Sequence, residues 1–509
     1  MLKRVLIFIH RWLGIALCVL FLLWFPSGIG MMYWPYPDVS AADRLERSPA
    51  LDPSSIRISP AEAAAKAELE QPGQVRLGTY LGRPAYEFGG RGGDAVIYAD
   101  TGEAPGEITR DMVPQIAAAW TGQPAGTARV EEVQEVDQWT LQSPLGSLRP
   151  LWKYSWPNGE QVYVSEATGE VIQYTTTASR LGAYLGPIPH WFYFTPLRKH
   201  GREWSRVVIW TSGIGTIAAI LGVVIGVWMY SPSKRYRYDG SPSSIPYRGQ
   251  KRWHTVLGLI FGVATITYAF SGMLSMDPFP SLTAGGPPAA REGPPRPSIP
   301  QVLRGGLQLP AFAAKHPGEA LRQLAGVPVK ELELSSFAGE AVYMARLADG
   351  STRIVPVQGE PRTEFDRSRI IELVTTATGG EVETSVLTQY DRYYLDRTRQ
   401  RPLPVIVAQL TDGDRTRYYI DPKTARVVGS YDAGDWVNRW LYNGLHSLNF
   451  PWLYNYRPLW DIVVITLMLG GTALCVTSLV LAWRVLGRKL ARVLPSRTTR
   501  DARLSEDLA

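Results

Sequence analysis

The feature that most limits what this chain can fold into is a set of four long runs without Asp, Glu, Lys or Arg. They are Trp12–Pro37, Val207–Ser233, Thr255–Met276 and Ile462–Trp483, of 26, 27, 22 and 22 residues. About 20 apolar residues in a helix cross the hydrocarbon core of a bilayer. One such run can be a buried core helix, but four in a chain of 509 residues predict four transmembrane helices. The first follows Lys3-Arg4 as a signal peptide would, yet its apolar stretch is too long and its pattern returns in the third run. It is expected to be retained.

The short connections set the expected orientation. The N-terminus with Lys3, Arg4 and Arg11 carries +3, the loop between runs two and three +5, and the tail after Trp483 +4. By the positive-inside rule these face the cytoplasm. The segments 38–206 and 277–461 then lie outside. The expected order is helix 1 within 1–37, domain one over 38–206, helix 2 over 207–233 and a cytoplasmic loop over 234–253. Helix 3 over 254–276, domain two over 277–461, helix 4 over 462–483 and a basic tail over 484–509 complete it. The basic surplus is accounted for by anionic lipid, so no nucleic-acid partner is expected.

The fold class that follows is an integral membrane α-helical protein with two outside α+β domains, each far longer than a structureless connection. Pro60–Glu70 and Arg367–Thr376 read as helices. Val162–Tyr174 and Tyr418–Gly429 read as strand, turn, strand around Thr/Gly and Asp/Pro turn residues, and Ile97–Ala104 as a weaker copy. Residues 283–300, with Gly285-Gly-Pro-Pro and Gly293-Pro-Pro, read as a flexible linker.

The two halves align with each other. His10-Arg-Trp-Leu-Gly14 matches His254-Thr-Val-Leu-Gly258, and a Ser-Gly pair follows each histidine by 17 residues, at Ser27 and Ser271. His190 precedes Trp204 by 14 residues, as His446 precedes Trp460. The expected unit is helix, outside domain, helix, present twice. Four of the six histidines fall at these repeated positions. Seventeen helical residues cover about 25 Å, so His10 and His254 lie near one membrane face and His190 and His446 near the other. Ionisable groups on membrane helices default to a functional reading.

Facing imidazoles at two depths suit six-coordinate b-type haem, in which one ring nitrogen binds iron and the other N–H binds an acceptor. Arg11, Lys251 and Arg252 on one side, and Arg198, Arg202, Arg206 and Arg457 on the other, are candidate propionate partners. Gly14, Gly258 and Gly262 would let a flat ring approach the backbone. The competing view, histidines as interfacial anchors beside Trp and Arg, fits one such residue better than four at duplicated positions. A zinc or copper site lacks an accompanying thiol or carboxylate at ligand spacing. His200, opposite Tyr456 in the repeat, is a lesser ligand candidate able to replace His190, and His316 reads as a solvated loop residue. Cys18 and Cys475 read as small packing residues, and two cysteines exclude a disulfide framework and a Cys-x-x-Cys-His haem attachment. No nucleotide-binding glycine motif occurs, so the electron donor is expected to be a separate molecule, a quinol or a cytoplasmic reductase. Trp191, Tyr193, Trp452 and Tyr454 form an aromatic belt that doubles as a candidate docking surface.

The His-x-x-Leu-Gly spans, the strand-turn-strand units and the histidines ahead of spans two and four resemble the PepSY-associated transmembrane proteins, a group that includes siderophore-iron reductases. That resemblance implies two b-type haems ligated by His10, His254, His190 and His446, periplasmic PepSY-like domains and reduction of a ferric siderophore. Ala425 stands where a Thr-Gly turn is usual. No general acid or base is nominated, since catalysis would consist of positioning and tuning of potential. The alternatives are an anchored partner-binding or peptidase-inhibiting protein and a transporter built on parallel repeats. No mid-membrane Asp, Glu or Lys is present to couple ions.

Overall fold

The computed structural model describes residues 1–89, 94–279, 298–396, 398–411 and 415–493. Its four long helices are span 1 (Leu2–Tyr33), span 2 (Gly201–Met229), span 3 (Gly249–Leu274) and span 4 (Leu459–Val493). All four are long and apolar enough to cross a membrane. They present Val19, Trp210, Ile217, Ile260, Val263 and Leu469 outward, exposure that suits lipid and not water. Span 4 continues well past Trp483, because Arg484, Arg488 and Lys489 are good helix formers and cations favour a helix C-terminus. The basic tail expected from 484 therefore begins as helix, and its residues 494–509 lie outside the described residues.

The spans form a square. Span 1 packs against spans 2 and 4, and span 3 against the same two. Spans 1 and 3 therefore face each other across one diagonal, and 2 and 4 across the other. The loop expected over 234–253 forms a small hairpin, β8 (Tyr236–Tyr238) and β9 (Ser241–Ser243), before span 3 begins at Gly249.

The segments expected as two separate domains share one sheet instead. In the first segment β1 (Gln74–Tyr80), β2 (Arg83–Gly89) and β3 (Ala95–Tyr98) form a meander. In the second, β10 (Val329–Phe337), β11 (Glu340–Leu347) and β12 (Thr352–Pro356) form another. Strands β1 and β10 pair antiparallel, Val75 opposite Leu334 and Leu77 opposite Leu332, giving a six-stranded sheet in the order β12-β11-β10-β1-β2-β3. Each meander alone would leave a bare inner edge, and joining them satisfies both. One core then draws Leu51, Val75, Leu77 and Phe88 from the first segment and Leu332, Tyr343 and Val355 from the second. One ion pair crosses the seam as well: Arg76, which bonds Glu87 at 3.2 Å, also reaches Glu331 on β10, while buried Glu333 beside it is held from within the second segment by Arg346 at 3.0 Å and by Arg426.

Each segment also carries a four-stranded meander. The first is β4 (Arg129–Val133), β5 (Leu151–Ser155), β6 (Gln161–Ser165) and β7 (Val171–Thr175). The second is β13 (Val382–Leu387), β14 (Val405–Leu410), β15 (Arg417–Asp421) and β16 (Arg426–Tyr431). The hairpins expected at 162–174 and 418–429 are β6–β7 and β15–β16. Gly169 and Ala425 occupy the same turn position, both left-handed at φ +69° and +50°. The expected helix from Pro60 starts on a capping box of Ser59 and Glu62 and ends at Lys66, just before left-handed Glu68. Arg367–Thr378 is capped by Asp366. The copy expected at Ile97 is the end of β3 and a turn in which Gly102 N–H donates to Tyr98 O. Of the expected linker, residues 283–297 lie outside the described residues, whereas Ser298–Pro300 open a capped helix, Ile299–Arg304.

Candidate functional site

Two imidazole pairs stand inside the bundle, one at each end. At the end far from the sheets, His10 of span 1 faces His254 of span 3 across the diagonal, ring centroids 6.2 Å apart. At the sheet-side end, His190 faces His446 at 5.9 Å. These two come from the segments leading into spans 2 and 4. His190 sits in a short helix, Pro187–Trp191, stopped by left-handed Phe192. His446 follows a π-helical stretch, Val437–Gly444, and precedes left-handed Leu448. In both halves the chain thus reverses two residues beyond the histidine and turns its ring into the bundle.

The hydrogen bonds fix which nitrogen is free. His10 Nδ1 lies 2.9 Å from Ala218 O of span 2, and His190 Nδ1 3.1 Å from Trp24 O of span 1. A carbonyl only accepts, so both rings carry their proton on Nδ1. His254 Nδ1 is 3.1 Å from Thr477 Oγ1, and His446 Nδ1 is 3.0 Å from Ser271 Oγ. Those hydroxyls donate their own protons to Leu474 O at 2.7 Å and Thr267 O at 2.6 Å, so they too accept from Nδ1. All four rings are therefore Nδ1–H tautomers with the Nε2 lone pair left for a ligand. Each pair takes its ligands from one diagonal and its acceptors from the other: spans 2 and 4 orient His10 and His254, and spans 1 and 3 orient His190 and His446.

The geometry suits a bis-imidazole iron. Metal–nitrogen bonds of about 2 Å on opposite faces of one metal, plus the half-width of each ring, place the centroids about 6 Å apart. The glycines agree. A Cβ on Gly28 would stand 3.4 Å from His190 Cε1 and one on Gly272 3.6 Å from His446 Cε1, while one on Gly222 would overlap His10. Gly14, one turn beyond His10, faces open space, as expected for a backbone that a flat ring approaches, whereas a Cβ on Gly258 would touch Leu474 Cδ1 at 3.9 Å. Gly262 instead seats Val223, a plain helix–helix contact. A cavity adjoins the sheet-side pair, lined by His190, His446, Trp24, Tyr268, Gly272 and Met468. Tyr268, 7% exposed, lines it edge-on to His446 at 6.1 Å, and its hydroxyl has no partner. Tyr442 packs on the same ring at 5.6 Å. Among the described residues no cluster of three or more His, Cys, Asp or Glu could hold a bare metal ion. A metal already held by a macrocycle would need only two further nitrogens, which either imidazole pair would supply.

His190 and His446 lie outside the four spans. Burial pushes His190 down to about 4, and burial reinforced by His190 pushes His446 to about 3. Both rings are thus neutral, the ligating form, at any physiological pH.

The remaining candidates divide. His200 is exposed at the N-terminal boundary of span 2 and belongs to neither pair. His316 is not a solvated loop residue: it caps the helix Pro317–Gln323 through Nδ1, 3.2 Å from Gly318 N, with Nε2 buried. Arg457 is committed to Asp461 at 2.7 Å and is not free for a carboxylate of a bound group. Arg206 lies about 160° around span 2 from the cavity-lining Trp204, Val208 and Ser212, so it faces away. Arg252 donates to Ser243 Oγ at 2.8 Å, and Arg11 packs over Phe8 and Trp12. Arg198 covers Trp204 at 4.6 Å, beside the cavity. Of the aromatic candidates, Trp191 and Trp452 are exposed, Tyr193 is half-buried between Tyr36 and Trp204, and Tyr454 is a core residue at 3% exposure packed on Trp460. Tyr454 is therefore no docking residue. Cys18 and Cys475 are free and buried, as packing residues are.

The orienting groups were not singled out as functional by the sequence, although Ser27 and Ser271 stood in view as a repeated spacing. Ser27 Oγ adds a second contact to His190 Nδ1 at 3.3 Å. Nothing in the residue pattern pointed to Thr477, to Ser478, whose Oγ lies 3.3 Å from His254 Nδ1, or to Tyr268.

The fold and site define a multi-pass membrane protein whose four-helix bundle presents two opposed imidazole pairs, one above the other, beneath a shared sheet. The family described as the PepSY-associated TM region matches residues 8–327, and the chain belongs to it. The match takes in His10, His190 and His254 and ends short of His446. No curated protein matches the chain.

Proposed function

We propose that this protein is a dihaem oxidoreductase of the bacterial inner membrane that passes electrons through the bundle to a ferric siderophore. The observation that carries the reading is the tautomer arrangement: four imidazoles, each tied through Nδ1 to the neighbouring helix with Nε2 as the unprotonated nitrogen, and ring centroids about 6 Å apart in both pairs. Haem b, when bound, supplies a one-electron iron couple. The chain's own part is positional. His10 and His254 would hold one group and His190 and His446 the other, about 14 helical residues or 21 Å apart along span 1, measured from His10 to Trp24. The Nδ1 bonds raise ligand basicity and bias the site toward ferric iron. Apolar walls keep water out and set the potential with them.

In this reading the termini and the 234–248 hairpin face the cytoplasm, following their basic residues, and the sheets stand in the periplasm. Electrons enter at His10 and His254 from a quinol or cytoplasmic reductase and leave beside His190 and His446. The acceptor follows from the family resemblance: siderophore oxygens hold Fe(II) far less tightly than Fe(III), so one electron labilises the iron.

The test is spectroscopic. Protein purified from haem-replete cells should be red, with two haems per chain and split α/β bands after dithionite. His10→Ala with His254→Ala should remove one haem and spare the second. A colourless wild type, or loss of both haems or neither in the double variant, refutes the assignment.

A further inference from the structure

The halves repeat, so their departures from each other mark what one flank does that the other does not. Residues of spans 1 and 3 correspond at an offset fixed by His10 and His254, and those of spans 2 and 4 at one fixed by His190 and His446. Even a hydrogen bond is repeated: Trp204 Nε1 donates to Trp191 O at 2.6 Å and Trp460 Nε1 to Ser447 O at 2.9 Å, at corresponding places.

Around the sheet-side pair the correspondence breaks in size. On the flank between spans 1 and 4, Phe25 lies against Gly471 and Met468 against Gly28, and together they wall the cavity. Their counterparts on the flank between spans 2 and 3 are Ala269 and Ser212. The cavity extends to this second flank, lined there by Gly272, Met276, Trp191 and Trp204. Trp191 is exposed there and Trp204 half-buried, whereas Trp460, the counterpart of Trp204, is buried.

The correspondence breaks in charge as well. Arg198 lies over Trp204 at 4.6 Å and Tyr193 at 5.1 Å, and its buried Nε has no partner. Its counterpart is the core residue Tyr454. Residues 198–206 carry +3, with Glu203 the one acid, whereas 454–462 carry none net because Asp461 neutralises Arg457. Asp277, next in sequence to the cavity-lining Met276, is a further acid.

We infer that the sheet-side site is one-sided. The group that His190 and His446 would hold is bordered by smaller side chains, Ala269 and Ser212, on the flank of spans 2 and 3, and an anionic electron-exchange partner is recognised on that flank, beside Trp191 and Trp204, with Arg198 as the recognising cation. This rests on the redox reading above. The exchange is a single electron: a ferrous site becomes ferric as the partner is reduced, with no bond broken and no proton moved.

The experiment uses full-length protein in low-salt detergent with ferrocyanide as an anion that cannot oxidise it, and ferricyanide as the acceptor. Ser212→Met with Ala269→Phe copies onto the open flank the side chains that the opposite flank already accommodates. It should displace the sheet-side haem, giving half the haem content, or keep it and slow ferricyanide reoxidation at least about tenfold. Arg198→Gln should retain both haems, weaken ferrocyanide binding by calorimetry about tenfold and flatten the salt dependence of reoxidation. Arg206→Gln, on the far face of span 2, should leave both within about twofold. Wild-type haem content and rate in the double variant overturn the inference, as does an Arg206→Gln effect equal to that of Arg198→Gln. Loss of haem from Arg198→Gln, with no ferrocyanide binding by wild type, also overturns it: Arg198 would then clamp a carboxylate of the bound group. A colourless wild type removes this inference together with the redox reading, while a red one with insensitive variants removes this inference alone.

Discussion

Replacing Ser271 by Ala tests the tautomer argument where it is most exposed. Ser271 Oγ accepts from His446 Nδ1 at 3.0 Å because its own proton is engaged by Thr267 O at 2.6 Å. The substitution removes that acceptor and leaves the ring, the backbone and the cavity lining in place. A hydrogen bond of this kind contributes about 1 kcal/mol net. If that whole amount stabilised only the ferric form, a one-electron couple would rise by about 40 mV. Removing an orienting partner also lowers metal affinity by about 10- to 100-fold. The expected outcome is a sheet-side haem whose midpoint potential rises by up to about 40 mV and which dissociates faster, with the far haem unchanged. Potentiometric titration followed in the α band, with the two components fitted separately, reads this directly. Ser27→Ala should shift less, because His190 Nδ1 keeps Trp24 O at 3.1 Å. A fall in potential, an equal shift of both haems, or a larger effect from Ser27→Ala would refute the reasoning.

Three further outcomes follow from other parts of the molecule. Glu333 is 5% exposed and held by Arg346 and Arg426 at the seam, so Glu333→Gln should destabilise the shared sheet by about 3–5 kcal/mol, as breaking a buried ion pair does, seen as a lowered midpoint in thermal unfolding of the full protein. Ala425 is held at φ +50°, where a Cβ is disfavoured, so Ala425→Gly should raise stability by about 1 kcal/mol in the same assay, unlike the reverse change at Gly169. His190 and His446 are depressed to about 4 and 3 by burial, so they stay neutral as pH falls through the ordinary histidine range. The unfolded chain takes up those protons below about 6.5, and stability is lost progressively from there down toward 4. Sheet-side haem content should accordingly hold from pH 8 to about 5 and fall near 4, as read by the Soret absorbance of dialysed samples.

The parts legible from sequence were those with strong local causes. Four uncharged runs gave four spans because lipid leaves few alternatives, and the repeated spacings around His10, His190, His254 and His446 led to both pairs. The shared sheet was not legible: Val75 and Leu334 lie far apart in sequence, and a three-stranded meander reads the same whether its edge meets solvent or another meander. Tyr454 failed as a surface residue for a similar reason, since only the packing of Trp460 and Leu453 beside it tells a buried tyrosine from a belt tyrosine. Arg206 looked like a partner for a carboxylate by proximity in sequence, yet helical phase turns it away. Thr477 and Ser478 gave no local cue, because an acceptor for His254 is defined by the diagonal partner and not by its neighbours.

Neither half of this chain can assemble either site alone. The far pair takes His10 from the first half and His254 from the second, and orients them with Ala218 and Thr477, again one from each. The sheet-side pair does the same with His190, His446, Trp24 and Ser271. The extramembrane part follows the same rule, since β1 of the first half closes on β10 of the second. Relative movement of the halves would therefore change the imidazole separation at both ends and strain the Arg76–Glu331 and β1–β10 contacts at once. In the proposed redox reading, a bundle built this way would fix the separation of each imidazole pair from both halves at once, and fixed ligands suit electron transfer because every change of ligand geometry between oxidation states adds to the energy needed to move the electron.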